Sequence, residues 1–396
     1  MHTKQLIKAA LFFALLVCTP LFAEMTVDEV IAKHIKAKGG LENWQKIKTM
    51  KLSGGYTGFS IAKTFTQIKS RPNKMYMDHH VGEKRIVLAY DGETAWWENE
   101  WYDHTKAAVM GPVDAYVTVQ DTHFATPFFN YKEEGHDVQF LGIGDIDGEE
   151  GLVLKLKRKT GEEETWYLDK KTFLEFARQS PGSDFGSPLP QRTFFDDFRL
   201  VEGVQIPFYV EYEFRTRNRV MTVEKVEVNV EIDEGMFKMP FPKTMLPFKT
   251  MAGEWAVKTS IKMHRRAEWD PVDLNSSIRE FANNTLFIEE VDVPGFMGPA
   301  KLLRTYSFDE FQKKFRMTEF SDATDHTSVL EGVVGEDSFE MTNLDSKTPW
   351  QGFGRTFYEK RVLINVDDDH FQMDCYLSSD EGKVWFHYLK QEYTRK

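Results

Sequence analysis

Residues 235–255 read GMFKMPFPKTMLPFKTMAGEW, and this stretch decides the fold. It holds Pro240, Pro242 and Pro247. Each proline removes a backbone donor and pushes the residue before it toward extended geometry. Upstream, Val226, Val228, Val230 and Ile232 alternate with Glu227, Asn229 and Glu231, the period-2 pattern of a half-buried strand. Alternation restarts at Trp255. The pattern predicts a stiff proline-rich linker over 235–252, joining a first β domain (24–234) to a second (253–396). A structureless loop of that length is uncommon inside one compact domain.

The chain has 396 residues, 41% hydrophobic and 14% aromatic, which is material for two cores. Its formal charge is -12. Without residues 1–23, which carry Lys4 and Lys8 and no acid, 48 basic residues face 62 acidic ones. That balance argues against nucleic acid as a partner. Lys4 and Lys8 precede an apolar run over 9–17, and Leu21-Phe22-Ala23 supplies a small residue for cleavage. The stretch 1–23 therefore reads as a secretory signal peptide, implying export to the periplasm. No later segment is apolar for long enough to span a bilayer, so the mature chain is expected to have no transmembrane segment. Val17 is bulky where a lipoprotein box takes a small residue, so lipid anchoring at Cys18 is not expected. Cleavage leaves Cys375 alone, on the face of Phe371 and Met373, where a buried thiol is expected.

In the first domain, Thr26 and Glu29 have capping-box spacing, and Val27, Val30, Ile31 and Ile35 recur at helical spacing. Gly39-Gly40 ends that helix, and a short turn with Trp44 and Ile47 follows. Strand patterns then run over 51–56, 61–68, 74–80, 84–90, 94–99, 138–143, 152–158, 163–168, 174–179, 193–201, 208–215 and 219–232. Asp91-Gly92, Asp147-Gly148, Thr160-Gly161 and Glu202-Gly203 mark turns between several of them. The stretch 107–134 breaks the rhythm: Tyr116, Val119, Gln120, His123 and Phe124 recur at partly helical spacing before Pro127-Phe128-Phe129. It is expected to be a helical insertion over one face of a curved sheet, serving as core filler or as the lid of a cavity.

The run Lys69-Ser70-Arg71-Pro72-Asn73-Lys74-Met75-Tyr76 resembles the strand entry of the periplasmic lipoprotein-sorting (outer-membrane lipoprotein carrier) family. Tyr90-Asp91-Gly92-Glu93-Thr94-Ala95-Trp96-Trp97 resembles the hairpin that follows it, and Trp166-Tyr167-Leu168-Asp169 a later strand. The resemblance implies a half-open antiparallel β-barrel covered by helices, whose apolar inside receives acyl chains or another lipid-like ligand. On that reading Phe59, Phe65, Tyr76, Trp97, Tyr116, Phe124 and Phe128 are the ligand-binding candidates, and Arg71 and Pro72 are structural. The carrier family latches its lid through an arginine on an early strand, and residues 51–67 contain none. Lipoprotein transfer is therefore set below binding of another hydrophobic molecule.

In the second domain about ten strand patterns follow one another without a long helical one, which suggests an up-and-down barrel. Gly253-Glu254-Trp255 at the first strand and Arg395 after the last resemble the lipocalin-like (calycin) arrangement, which implies a tryptophan at the barrel base covered by a cation. Gly253 and Trp255 are accordingly structural candidates. The fold class expected is mainly β: a half-open antiparallel barrel with covering helices, then a lipocalin-like barrel.

No G-x-S-x-G elbow, H-E-x-x-H helix, phosphate loop or dinucleotide fingerprint occurs, so no catalytic residue and no cofactor are assigned. Asp78-His79-His80 is the best metal candidate, but adjacent strand residues point to opposite faces, so no metal is assigned. His387 reads as a core or surface histidine rather than a haem ligand. The expected function is an exported envelope protein that binds a hydrophobic small molecule, a lipid or a lipidated partner. The alternatives are a structural or protein-interaction module without ligand, and a hydrolase with scattered catalytic residues.

Overall fold

The computed structural model describes residues 25–396 apart from 103, 185, 216, 296–297, 323–325, 336–337, 353 and 365. The signal-peptide stretch and Cys18 lie outside the described residues. The chain divides after Met239 into two compact units.

The first unit opens with helix α1 (Val27–Ala37), whose capping box joins Thr26 and Glu29 and whose Val30, Ile31 and His34 are buried. Helix α2 (Leu41–Lys46) follows a turn at Gly39 and Gly40. Then come β1 (Thr49–Gly58), β2 (Ile61–Ser70), β3 (Lys74–Val81), β4 (Lys84–Tyr90), β5 (Ala95–Asn99) and β6 (His104–Val109). Helix α3 (Pro112–Gln120) separates them from β7 (Asp137–Ile146), β8 (Glu149–Lys157), β9 (Glu163–Leu168), β10 (Glu175–Asp184), β11 (Ser187–Val201), β12 (Val204–Phe214) and β13 (Arg217–Val228). All thirteen form one antiparallel sheet in the order β6-β5-β4-β3-β2-β1-β13-β12-β11-β10-β9-β8-β7. The one non-sequential pairing sets Met50 of β1 opposite Val228 of β13. Strands β6 and β7 are the ends of that order.

The helical insertion expected over 107–134 is narrower than its pattern suggested. Its first residues belong to β6, α3 takes only Pro112–Gln120, and residues 121–136 run mainly as turns. Pro112 explains the start, since a proline fits the first turn of a helix, where its missing donor costs nothing.

Two clusters fill the inner face of the sheet. Trp44 joins Met50, Leu52, Phe65, Met77, Ile206, Val210 and Met221. Val30 and Ile31 of α1 meet Phe128, Val138, Leu154, Trp166 and Leu168. Gly39 is held by proximity: a Cβ there would stand 2.2 Å from the Gly203 carbonyl oxygen in the β11–β12 turn. Val87, Ala89, Trp96 and Ala107 form a smaller cluster on the opposite face. The last residues of the first unit, 234–239, pack there, with Trp96 Nε1 donating to the Phe237 carbonyl at 2.7 Å.

The second unit begins at Pro240. Its short helix α4 (Leu246–Lys249) leads into β14 (Gly253–Ile261), β15 (Asp270–Phe281), β16 (Leu286–Gly295), β17 (Gly298–Asp309), β18 (Lys314–Ser321), β19 (Thr327–Val334), β20 (Ser338–Thr342), β21 (Trp350–Gly352), β22 (Arg355–Ile364), β23 (His370–Ser378) and β24 (Phe386–Arg395). Ten strands close into a barrel because β14 pairs with β24 and β20 pairs with β22, while β21 pairs only with β22. Trp255 is fully buried, and the Arg395 guanidinium lies 4.3 Å from its ring centroid. Arg395 also donates to the Ala252 and Thr250 carbonyls at 2.9 and 2.6 Å. A Cβ on Gly253, whose φ is +142°, would stand 2.2 Å from Arg395 Nη1.

The stretch 235–252, expected to be a linker, is not one. Met245, Phe248 and Met251 are buried in the barrel core. Phe248 sits among Phe287, Tyr306, Phe315 and Phe339 at centroid distances of 6.2, 5.3, 5.4 and 5.3 Å. The prolines do prevent a strand here, but Pro247 falls in the first turn of α4, and the apolar residues around it are free to turn inward. Phe248→Ala should therefore destabilise the second unit by about 3–5 kcal/mol, the usual cost of emptying a packed aromatic site. Urea unfolding of the full chain checks this; a change within about 0.5 kcal/mol would mean that the segment is only draped over the barrel.

Candidate functional site

Helix α3 lies on the inner face of the first unit and is poorly packed. Its buried residue is Thr118, whereas Val113, Tyr116, Val117 and Val119 stay half-exposed. Val113, Tyr116 and Val117 face open space, because α3 borders three cavities. An open groove of about 1230 Å³ runs along Val113 and Tyr116 and is walled by Pro181, Leu189, Pro190 and Phe214. A space of about 100 Å³ lies beside Val117 and Thr118, walled by Tyr56, His79, Trp97 and Arg219. A third, of about 130 Å³, lies under Gln120, Asp121 and Phe124. The two small spaces share Asp121 and Tyr212.

The 130 Å³ space has apolar walls (Trp44, Leu52, Phe195, Ile206, Met221) and a charged floor. Lys38 pairs with Glu175 at 2.6 Å, and Arg158 with Glu164 at 2.7 Å. Lys69 Nζ donates to the His123 carbonyl at 2.8 Å and so ties β2 to the segment after α3. Arg71 reinforces that tie: it donates to the Trp44 and Ile47 carbonyls at 2.7 Å each, and its guanidinium lies 4.5 Å from the Phe124 ring centroid. Arg178, 9% exposed, has its guanidinium 5.3 Å from the Trp166 ring centroid and its Nη2 3.5 Å from Thr193 Oγ1. Its Nε has no hydrogen-bond partner; nor do Glu175 Oε2 and Gln120 Oε1.

Burial governs the titration of this floor. It pushes the Lys69 ammonium down to about 8, against the pull of Asp121. It raises the Asp121 carboxyl, although Arg178 and Lys69 oppose this. Burial also resists ionisation of Glu164, but Arg178 and Arg158 outweigh it and hold that carboxyl low. His123 is lowered to about 3 by burial, then by Arg158 and Lys69. His79 is lowered to about 3 by burial, then by Arg219 and His80.

The sequence candidates scatter. Trp97 lines the 100 Å³ space, Tyr116 the groove and Phe124 the 130 Å³ space. The other four line none of the three. Phe65 and Phe128 are core: Phe128 is fully buried, with ring centroids 5.6 Å from His34 and 5.4 Å from Trp166. Tyr76 packs on the opposite face with Val87 and Trp96, because Met75 and Met77 take the inner positions of β3. Phe59 is 43% exposed in the β1–β2 turn, 5.5 Å from Trp101. The charged floor was missed. Lys69 alternates with buried Phe65 and Gln67, a signal that could have placed it inside. Glu175 and Arg178 gave no such signal, because an irregularity between Glu175 and Ala177 brings residues three apart to one space.

Asp78 is bound to Arg85 at 2.7 Å rather than to His79 or His80. Among the described residues no group of three or more His, Cys, Asp or Glu is gathered for a metal. His387 stacks on Tyr376 at 4.6 Å. Cys375 is a buried free thiol, pushed up to about 12 by burial.

Residues 245–395 match a family described as a protein of unknown function (DUF1579). None of the curated proteins compared with the chain matches it. Among solved structures, the chain is similar to a DUF1329 family protein from Desulfovibrio piger, at 10% identity and TM-score 0.37, covering 54% of this chain and 97% of that one. It is also similar to the LolA superfamily protein NE2245 from Nitrosomonas europaea, at 11% identity and TM-score 0.36, covering 54% and 98%. A third is Rv2717c from M. tuberculosis, at 9% identity and TM-score 0.30, covering 40% and 99%. Among the described residues no helix is long and apolar enough to cross a membrane.

Burial lowers four histidines, His34, His79, His123 and His136, and these set a pH dependence. Between pH 6.5 and about 3 the unfolded chain takes up protons that folded His79 and His123 refuse, so stability falls as pH falls. His79→Leu removes one of these four, and its melting temperature should drop less than the parent's between pH 7 and pH 4.5. Parallel slopes would show that His79 titrates normally in the folded chain.

Proposed function

We propose that the chain is an exported envelope protein whose first unit binds a hydrophobic guest beneath helix α3, without transforming it. The carrying observation is α3 itself: a helix with one buried residue, whose Val113, Tyr116 and Val117 border cavities. Apolar surface left in that state favours any guest that removes it from water, by about 25 cal/mol per Å². Apolar walls with a few convergent polar groups are the usual make-up of a small-molecule site. The signal-peptide reading of 1–23 supplies the location, the periplasm. A lipidated partner would enter by its acyl chain, and lipoprotein sorting is the finer form of this reading. The closed second barrel, lipocalin-like on its Gly253-Glu254-Trp255 opening, serves as a companion module.

Native mass spectrometry of gently purified full-length protein should find a bound lipid, or else uptake of the neutral apolar dye N-phenyl-1-naphthylamine. Trp97→Ala should weaken dye uptake, whereas Phe128→Ala should cost about 3–5 kcal/mol of stability as a core truncation. A clean apo mass together with no dye uptake would leave the interaction-module reading in its place.

A further inference from the structure

We propose that the guest is an amphiphile with a single carboxylate head, seated between Arg178 and Lys69 on the charged floor under Asp121 and Phe124. This rests on the reading of the first unit as a binder and names the class of molecule bound.

Charge accounting inside the 130 Å³ space carries the inference. Glu175 is taken by Lys38 and Glu164 by Arg158. Arg178 also helps to hold Glu164 low, so four cations (Lys38, Lys69, Arg158, Arg178) share three carboxylates (Glu175, Glu164, Asp121). Burial weakens Asp121 further as an anion. The floor thus holds one positive charge more than it can neutralise. Arg178 is nine-tenths buried, keeps an unpartnered Nε, and forms no ion pair among the described residues. A buried guanidinium left this way is costly unless something completes it. Lys69 spends one of its three donors on the His123 carbonyl.

A carboxylate fits what is missing. Its two oxygens match the fork of a guanidinium, and its single charge matches the single excess. A phosphate dianion would overcharge the floor. About 130 Å³ accommodates such a head but not a long alkyl chain, so the chain must run beside α3. The adjoining 100 Å³ space and the groove along Tyr116 are the apolar routes available. The loose packing of α3 lets it yield to them.

Titration calorimetry of the full chain at pH 7, below micelle-forming concentrations, would compare oleate, oleyl alcohol and inorganic phosphate. We expect oleate to bind at least tenfold tighter than the alcohol, with phosphate weak. In Arg178→Gln and in Lys69→Gln that preference should shrink to within about threefold. Melting curves accompany both variants, and if Arg178→Gln fails to fold, Lys69→Gln decides. Equal binding of oleate and the alcohol by the parent protein, or a preference that survives the substitutions, overturns the carboxylate assignment and leaves the binder reading intact. Phosphate binding as tight as oleate overturns the amphiphile. If neither oleate nor the alcohol binds, the binder reading falls as well.

Discussion

An antiparallel sheet whose end strands do not meet has an inner face that something else must shield from water. In the first unit the order ends at β6 and β7, and the cover is α1, α2 and the segment from α3 to Phe129. Helix α1 and Phe128 pack against the β7–β9 end, and α2 brings Trp44 to the middle. The nine residues of α3 are left to cover the rest. They are too few to fill it, and the cavities beside α3 measure the shortfall. The second unit meets the same demand by closure: its strands form a ring, and Phe248 fills one part of the interior from within. A closed and plugged shell needs no lid.

Both units bury charge, and they differ in how completely it is paired. In the barrel, Glu289 is fully buried and accepts from Ser276, Tyr306 and Tyr393 at 2.9, 2.6 and 2.8 Å. Arg304 bridges it to Glu319, and Arg361 stands between Glu319 and Glu359. Each cation there is flanked by carboxylates, although Arg361 Nε and Nη1 have no hydrogen-bond partner. Such ion sets add little net stability, but removing one member is costly. The first unit has two comparable pairs and then stops short at Arg178. On the proposed reading, the missing member of that network arrives from outside.

The fold was legible in the sequence because period-2 alternation survives in nearly every strand. The ten barrel strands and the open first sheet follow from Val, Ile, Tyr and Phe spacing, with glycine turns as punctuation. The seam was only half legible. Three prolines correctly forbade a strand, but composition could not reveal that Met245, Phe248 and Met251 turn into a core, because that depends on where the barrel mouth lies. The site was least legible. Aromatic content points to a lining because apolar area drives binding, yet Phe65 and Phe128 belong to the core and Tyr76 packs on the opposite face. What distinguishes the lining is charge, and an irregularity in β10 hid Glu175 and Arg178 from any alternation rule.

The tie between Lys69 and the His123 carbonyl connects lid and site in one physical element. Lys69 lies near the end of β2 and makes this tie with one donor to a backbone carbonyl. An ammonium pulled down to about 8 by burial is held weakly, since the charge it carries at neutral pH is one the site resists. A carboxylate arriving beside it would lower that resistance and compete with the His123 carbonyl for its donors. On the proposed reading, the group that recognises the head of the guest is therefore also the group that holds the segment after α3 in place. Binding and loosening of the cover then follow from one hydrogen-bond exchange, with no separate trigger. The differential affinity of the guest for the loosened state is what would shift the population.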